Sequence, residues 1–197
     1  MKKWTIALCV FMICMLLAAC GGTGQENHKN HNMDSGKKSE GASSMTKAKP
    51  VTVELMDAKG KKAGKATLEQ AAEGVKVNVE ATGLTPGEHG IHFHEKGVCE
   101  APKFESAGKH FNPTSKMHGF KNPKGPHVGD LKNIKADSSG KATGDLMSSL
   151  VTLQVGKSNS LLKEGGTALV VHAKADDYKT DPTGNSGDRV LCGVIKK

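Results

Sequence analysis

Short segments in which apolar and polar residues alternate recur along most of this chain, and this period of two constrains the fold most. The segments are residues 51–56, 75–81, 91–95, 168–173 and 190–195. Glycine-rich turns separate them, and the turn DSSG at residues 137–140 joins two candidate strands as a hairpin. Residues 51–197 contain no sustained helical period with capping residues. The pattern predicts an all-β domain, a sandwich or barrel of about eight strands.

The N-terminal segment has a different character. Lys2 and Lys3 precede an apolar run that ends in the sequence LAAC at residues 17–20. A basic start, a short apolar run and small residues before a cleavage point predict a secretory signal. The segment resembles a bacterial lipoprotein signal, which implies removal of residues 1–19 and an extracytoplasmic membrane anchor on a lipidated Cys20. An uncleaved anchor helix and an ordinary cleaved signal are the alternatives, and both place the remaining chain outside the cytoplasm.

Residues 20–50 carry almost no apolar side chains, so they cannot bury enough surface to offset the entropy of ordering. We predict a disordered polar tether here. His28 and His31 lie in it and are interpreted as solvated linker residues rather than metal ligands. The remaining residues, 51–197, suit a single domain.

The charge balance favours some partners and excludes others. The chain has 28 basic and 20 acidic residues, and loss of Lys2 and Lys3 with the signal leaves a net charge of +6. This excess suits an anionic membrane surface or the attraction of small anions. Nucleic acid is excluded as a partner because the chain is predicted to be exported, is only 4% aromatic and has no nucleic-acid-binding motif. The sequence leaves the oligomeric state, monomer or homodimer, open.

Two cysteines, Cys99 and Cys192, fall within the predicted domain. In an oxidising compartment such a pair predicts a disulfide. The bridge would close a loop on the order of 90 residues, which chain-entropy models value at about 4–5 kcal/mol. Two free buried thiols are the alternative.

Two long, turn-rich segments, residues 97–128 and 174–188, interrupt the regular strand spacing. Loops of this length in a compact β domain are usually functional. His92 and His94 lie two residues apart before the first segment, so their side chains leave one strand face within reach of one metal. His89 falls at an odd position relative to that face and is predicted not to be a ligand.

Further histidines lie in or beside these segments. Three of them and one carboxylate make a tetrahedral zinc set: His110, His118, His127 and Asp130. His172 ends an apolar strand that would deliver it to the same region. Ligation mainly by imidazole suits copper as well as zinc, and copper carries one-electron chemistry. Spacing alone predicts a metal site, with two metals favoured, and goes no further.

Several strings in the domain are specific enough to indicate a family. They are GIHFHE at residues 90–95, GKHFNP at 108–113, HVGDL at 127–131, LVVH at 169–172, GNSGDR at 184–189 and CGVI at 192–195. These resemble the signature segments of Cu,Zn superoxide dismutases, and the resemblance extends over residues 51–197. The fold that it implies is an eight-stranded Greek-key β-barrel with two long functional loops.

The resemblance also implies a role for each residue. The implied copper ligands are His92, His94, His110 and His172, and the implied zinc ligands are His110, His118, His127 and Asp130, with His110 shared as a bridge. Asp176 matches a carboxylate that hydrogen-bonds a ligand of each metal, and Arg189 matches the arginine of the anion channel. Cys99 and Cys192 match the family disulfide. Asp188 departs from the family, which usually has a small residue before this arginine.

The implied activity is dismutation of superoxide to dioxygen and hydrogen peroxide on the extracytoplasmic side of the cell. In this expectation His110 delivers a proton and Arg189 attracts the anionic substrate. A non-catalytic zinc or copper carrier with the same barrel is one alternative, and a surface module that uses metal only for folding is another. Histidine at every implied copper position favours the enzyme.

Overall fold

The computed structural model describes residues 49–197, which form an almost wholly β structure with one short 3-10 helix, η1 (Glu105–Ala107). The strands are β1 (Val51–Asp57), β2 (Lys62–Ala71), β3 (Gly74–Ala81), β4 (Gly87–His89), β5 (Ile91–His94), β6 (Ile134–Ala136), β7 (Ala142–Ser148), β8 (Thr167–His172) and β9 (Arg189–Ile195). The predicted signal, Cys20, His28 and His31 lie outside the described residues. Among residues 49–197, no helix has the length and apolar character needed to cross a membrane.

The strands form one antiparallel sheet in the order β4-β6-β7-β3-β2-β1-β9-β8-β5. Its two end strands, β4 and β5, are separated in sequence only by Gly90, so the chain itself joins the two ends into a nearly closed barrel. The connections from β3 to β4 and from β7 to β8 join strands that are not neighbours, as in Greek-key folds. The predicted all-β barrel is confirmed. The ninth strand arises because one strand is divided at Gly90.

Gly90 makes this junction possible. Its amide donates a hydrogen bond to Lys174 O and its carbonyl accepts one from His172 N, both at 2.8 Å. A Cβ at this position would lie 2.9 Å from the Ser186 Cβ and 3.3 Å from the Asp176 Cβ. Gly90 therefore lets the chain that follows β8 pack closely against the junction of β4 and β5, where there is no room for a side chain.

Burial follows the strand period that the sequence shows. Along β3 the residues Val75, Val77 and Val79 are buried in the core, whereas Lys76 and its alternate neighbours are exposed. Strands β5 and β8 differ because every residue in them is buried. One face of these two strands packs in the core, and the other is covered by the two long loops. A functional group on that covered face is shielded from bulk water.

The two loops agree with the predicted segments to within a few residues. The first loop (residues 95–133) joins β5 to β6, and the second loop (residues 173–188) joins β8 to β9. The predicted disulfide is confirmed: Cys99 in the first loop bonds Cys192 on β9, with their Cα atoms 5.7 Å apart. The bridge fixes the start of the first loop to the barrel wall.

A third irregular segment, residues 149–166 between β7 and β8, was not predicted. Gln70 on β2 holds it, since its Oε1 accepts hydrogen bonds from Thr152 Oγ1 at 2.8 Å and Leu153 N at 2.7 Å. Strand β2 was also missed, because only Ala66 and Leu68 are fully buried in it and its apolar alternation is weak.

Candidate metal centre

Strand geometry places three histidines on the covered outer face of the barrel. Phe93 and Val171 point into the core, so their neighbours His92, His94 and His172 point the opposite way. The register pairs Ile91 with Val171, which brings the end of β8 beside the start of β5. All three histidine side chains are buried under the loops.

The first loop adds His110 by a short extension of the strand pairing. His94 and His110 form an isolated antiparallel bridge, and Phe111 N donates to Phe93 O at 2.7 Å. As a result the His110 ring centroid lies 4.0 Å from that of His92 and 5.0 Å from that of His94. Backbone pairing, rather than side-chain contact alone, fixes the position of this histidine.

These four histidines form what we call the imidazole set: His92, His94, His110 and His172. Each offers one nitrogen within 4.8 Å of the others. Those nitrogens are His92 Nδ1, His94 Nε2, His110 Nε2 and His172 Nε2, and all four are buried without a hydrogen-bond partner. Buried polar atoms without partners are costly and rare, so four that converge on one place indicate a bound cation.

The opposite nitrogens of three of these rings are all engaged. His92 Nε2 lies 2.8 Å from Asp176 Oδ2, His94 Nδ1 lies 3.0 Å from Gly108 O, and His172 Nδ1 lies 3.2 Å from Gly187 O. Carbonyl and carboxylate oxygens only accept, so these nitrogens carry the protons. Each ring therefore directs its lone pair inward.

The second group, which we call the mixed set, consists of His110, His118, His127 and Asp130. Asp130 Oδ1 lies 3.1 Å from the Nδ1 atoms of both His110 and His118, and 3.4 Å from that of His127. His127 Nδ1 lies 3.4 Å from His110 Nδ1. Ligands at tetrahedral Zn²⁺ bond lengths are about 3.3–3.4 Å apart, so these spacings fit zinc.

His92 is also near the mixed set, since it offers a nitrogen within 4.8 Å of the ligand atoms of His110, His118 and Asp130. Its Nε2 is occupied by Asp176, and its remaining nitrogen, Nδ1, belongs to the imidazole set. His127 Nδ1 approaches Asp130 and His110 at 3.4 Å and has no competing partner at that distance. We therefore assign His127 as the fourth member.

Asp176 connects the two sets. Its Oδ2 accepts from His92 Nε2 at 2.8 Å, and its Oδ1 accepts from His118 Nε2 at 2.9 Å. Gly184 leaves room for this contact: its φ of +63° suits glycine, and a Cβ there would overlap Asp176 Oδ1 and lie 2.6 Å from His118 Nε2. The carboxylate orients one ring in each set.

The two sets differ in protonation. Burial lowers the pKa of His92 to about 3 and that of His172 to about 4, and it also lowers the pKa of His94 and His110. For His118 burial acts in the same direction, but hydrogen bonds to Asp130 and Asp176 outweigh it and raise its pKa to about 9. Without metal the imidazole set is neutral, whereas the mixed set holds a proton.

A cavity of ≈ 630 Å³ opens beside both sets, and His110, His127 and Arg189 line it. The Arg189 guanidinium is fixed by two carbonyls, since Nη1 donates to Phe104 O at 2.6 Å and Nη2 donates to Gly108 O at 2.7 Å. The same Gly108 carbonyl accepts from His94. A positive charge is therefore held at a defined position next to the imidazole set.

Other features of the site carried little or no sequence signal. Lys96, Lys109 and Lys163 also line the cavity, and only Lys109, next to His110, could have been suspected. Asp181 was missed as well, although its Oδ1 accepts a 2.6 Å hydrogen bond from His118 N. The structure places His89 outside both sets, with its ring nitrogens 2.7 Å from the carbonyls of His172 and Thr85.

Comparison with known proteins agrees with this geometry. The family model described as "Copper/zinc superoxide dismutase (SODC)" matches residues 62–195. A curated relative, superoxide dismutase [Cu-Zn] 1 of Aquifex aeolicus, is 51% identical over 144 residues, which cover 73% of this chain and 85% of the relative.

Two solved structures extend the comparison. One is a double mutant, with two residues changed to histidine, of a superoxide dismutase-like protein from Bacillus subtilis; its TM-score is 0.72 at 42% identity, covering 74% of this chain and 97% of that one. The Cu/Zn superoxide dismutase from Brucella abortus has a TM-score of 0.61 at 28% identity, covering 75% and 99%. The chain belongs to the copper/zinc superoxide dismutase family.

Proposed function

We propose that this protein is a superoxide dismutase that converts two superoxide anions and two protons into dioxygen and hydrogen peroxide. The observation that carries the proposal is the convergence of four buried, unpartnered histidine nitrogens, one of them from a histidine shared with a tetrahedral set. In this proposal copper binds at the imidazole set and zinc at the mixed set. When bound, copper supplies one-electron redox chemistry and zinc supplies a fixed positive charge.

His92, His94 and His172 hold and orient the copper. Their outward N–H groups are bonded to Asp176 or to backbone carbonyls, so their inward nitrogens keep a fixed direction. Their lowered pKa values, caused first by burial, keep the rings neutral in water near pH 7. Neutral rings are the form that binds metal.

His110 is the proton-transfer residue of the proposal. It presents Nδ1 to the mixed set and Nε2 to the imidazole set, so it is shared between them. His110 Nε2 takes up a proton in one half of the cycle and gives it to the second superoxide in the other half. Burial lowers the pKa of this ring, which favours release of that proton.

Arg189 attracts and positions the substrate. Its guanidinium stands in the cavity that His110 also lines, and its two carbonyl contacts prevent it from swinging away. Lys96, Lys109 and Lys163 add positive charge around the same cavity. Glu95 also lines the cavity, but the four cations leave its lining net positive, which raises the encounter rate with a small anion.

Metal analysis and an activity assay test the proposal. The purified protein is reconstituted with Cu²⁺ and Zn²⁺, its metal content is measured, and superoxide consumption is followed by pulse radiolysis. We expect one copper and one zinc per chain and a catalytic second-order rate. A protein that binds both metals without consuming superoxide would be the non-catalytic metal-binding relative, and the enzyme assignment would be wrong.

We further propose that the protein is exported and held at the extracytoplasmic face of the membrane by a lipid on Cys20, after removal of residues 1–19. The signal-like N-terminus and the disulfide, which persists in oxidising compartments, support this. Residues 20–50 then form the tether to the domain that begins at residue 51. In cell fractionation, Cys20→Ser is expected to move the protein from the membrane to the soluble fraction. Membrane retention of a normally processed Cys20→Ser protein would rule out the lipid anchor.

A further inference from the structure

Asp181 lies in the second loop, yet its carboxylate is directed at the mixed set of the first loop. Its Oδ1 accepts a 2.6 Å hydrogen bond from the backbone amide of His118. The same oxygen lies 3.7 Å from His127 Nε2. One carboxylate oxygen therefore faces two members of the set, and it belongs to neither metal group.

The position of the proton on the His127 ring explains how a negative charge on Asp181 can act on that ring. Its Nδ1 faces Asp130 and His110 at 3.4 Å, which is the ligand position in a tetrahedral site. A histidine that binds metal through Nδ1 carries its proton on Nε2. That N–H is the part of the His127 ring that faces Asp181, and the His127 side chain is only 8% exposed. At 3.7 Å the two groups interact through charge rather than through a hydrogen bond of normal length.

The remote nitrogens of the other two rings in the mixed set are each assigned to another group. His118 Nε2 contacts Asp176 at 2.9 Å, and His110 Nε2 faces the imidazole set. Asp181 completes this pattern, since it is the carboxylate next to the remote nitrogen of His127. Carboxylates in this relation fix ring orientation and strengthen the histidine as a ligand.

We propose that Asp181 is a positioning residue of the zinc site, which holds His127 in its ligating orientation by charge and joins the two loops through the amide of His118. The inference rests on the proposed function, because it requires zinc at the mixed set. It adds to that function a second carboxylate, which faces His127 where Asp176 contacts His118. Because Asp181 is one-third exposed, we expect an effect near the lower end of the range for such partners, about 10-fold in zinc affinity.

Two substitutions separate the two contacts. Asp181→Asn keeps an oxygen that accepts from His118 N but removes the charge that faces His127. Asp181→Ala removes both. The matched control is Asp177→Ala in the same loop: Asp177 accepts from Lys179 N and Thr180 N and organises the loop without contacting a member of the mixed set.

The measurement is the rate at which Zn²⁺ leaves each zinc-loaded protein for an excess of a coloured chelator. We expect Asp181→Asn to release Zn²⁺ about 10-fold faster than wild type, Asp181→Ala faster still, and Asp177→Ala at the wild-type rate. In the Co²⁺-substituted proteins, the visible absorption bands of the tetrahedral ion should shift in Asp181→Asn and stay unchanged in Asp177→Ala. Asp181→Glu, which retains the charge, should recover part of the loss.

Two results would overturn the inference while leaving the proposed function intact. One is an Asp181→Asn protein with wild-type Zn²⁺ release and an unshifted Co²⁺ spectrum, which would limit Asp181 to its backbone contact. The other is equally fast release from Asp177→Ala, which would assign the effect to general loosening of the loop. A wild-type protein that takes up no Zn²⁺ at all would instead overturn the zinc site itself, and with it this inference.

Discussion

The imidazole set and the mixed set share His110 but are built by different means. Three of the four residues of the imidazole set stand on strands β5 and β8 or at their ends, and the fourth is attached to β5 by backbone pairing. All four members of the mixed set come from the first loop: backbone bridges to β5 hold His110 and Asp130, whereas His118 and His127 stand on no strand. Strands place the first set, and side-chain hydrogen bonds complete the second. We therefore expect the first set to govern catalysis and the second to govern the order of the loop.

The electrostatics of the two sets differ in the same way. The four inward nitrogens of the imidazole set have no hydrogen-bond partner, so a bound cation would stabilise this set. In the mixed set, burial raises the pKa of Asp130, but its contacts with three imidazoles outweigh burial and hold that pKa well below the usual value. Its negative charge stabilises a proton on His118. In the proposed zinc-loaded protein, the metal would take the place of this proton beside Asp130.

The largest expected effect comes from His94→Ala, because His94 belongs to the imidazole set alone. We expect superoxide consumption to fall by at least about 1000-fold, to the background of free metal, since a group that binds the redox metal is lost. Zinc content and the far-UV circular dichroism should remain those of wild type. Pulse radiolysis of the reconstituted protein measures the rate, and metal analysis measures the zinc.

A wild-type rate in His94→Ala would show that the imidazole set is not the reaction centre. Loss of zinc together with activity would contradict the separation of the two sets. Val98→Ala is a suitable control, because Val98 lies nearby in the first loop and is 39% exposed. It should leave both readouts unchanged.

The second effect concerns stability. His118→Ala removes a residue of the mixed set that also contacts Asp176 of the second loop. We expect the zinc-loaded melting temperature to fall by several degrees more in His118→Ala than in His94→Ala, since bound zinc stabilises only the folded loop. Differential scanning calorimetry of both variants, with and without Zn²⁺, gives the comparison. Identical melting temperatures for metal-free and zinc-loaded wild type would contradict a structural role for the mixed set.

Much of this arrangement could be predicted from the sequence, and the strand period shows why. His92 and His94 share a strand face because alternate residues in a strand point the same way, so their proximity is a local property. The disulfide followed from the only two cysteines of the domain. Local regularity and a limited choice of partners made both predictions possible.

The rest depended on how distant loops meet. The contact of Asp181 with His118 N spans 63 residues, and Lys163 reaches the cavity from the third irregular segment. Neither residue stands in a pattern that local periodicity distinguishes. The short strand β4, just before the predicted strand at residues 91–95, was also not predicted, because its partner β6 lies far along the chain. Long-range packing, which leaves little trace in local sequence, decides such features.

The difference in protonation between the two sets predicts how the stability of the metal-free protein depends on pH. In the metal-free protein the raised pKa of His118, about 9 against 6.5, stabilises the fold fully below pH 6.5, and this contribution is lost as the pH rises through 9. The lowered pKa values of His92 and His172 have the opposite effect on stability. Their contribution is present above pH 6.5 and is lost as the pH falls below that value. Metal-free stability should therefore peak near pH 6.5 and fall by a few kcal/mol towards pH 9.

Urea unfolding of the metal-free protein from about pH 5 to pH 10 tests this dependence. Zinc replaces the His118 proton, so the zinc-loaded protein should lack the alkaline decrease. His118→Gln, which cannot titrate, should lack it even without metal. An alkaline decrease that persists in His118→Gln would assign it to another group.

The smallest expected effect concerns Arg189, which stands outside both sets and which we propose attracts the substrate. Superoxide is a small anion, so a fixed positive charge in the cavity raises its encounter rate and makes that rate fall with ionic strength. We expect Arg189→Ile to lower the second-order rate about 10-fold and to reduce its salt dependence. The reduction should be partial, because Lys96, Lys109 and Lys163 line the same cavity. Pulse radiolysis of the copper-loaded variants across ionic strengths measures both quantities.

Further variants separate the charge of Arg189 from its geometry and test the carboxylates near it. Arg189→Lys keeps the charge but loses the fork that bonds Phe104 O and Gly108 O, so its salt dependence should match wild type while its rate falls. Asp188 and Glu105 line a second surface depression, which Arg189 borders but His110 does not, so Asp188→Ser should raise the low-salt rate less than 2-fold. Glu105→Gln should raise the low-salt rate at least as much. Burial lowers the Arg189 pKa, and Glu105 is the carboxylate whose charge opposes that change. An Arg189→Ile enzyme with an unchanged rate and an unchanged salt slope would remove Arg189 from the path of the substrate.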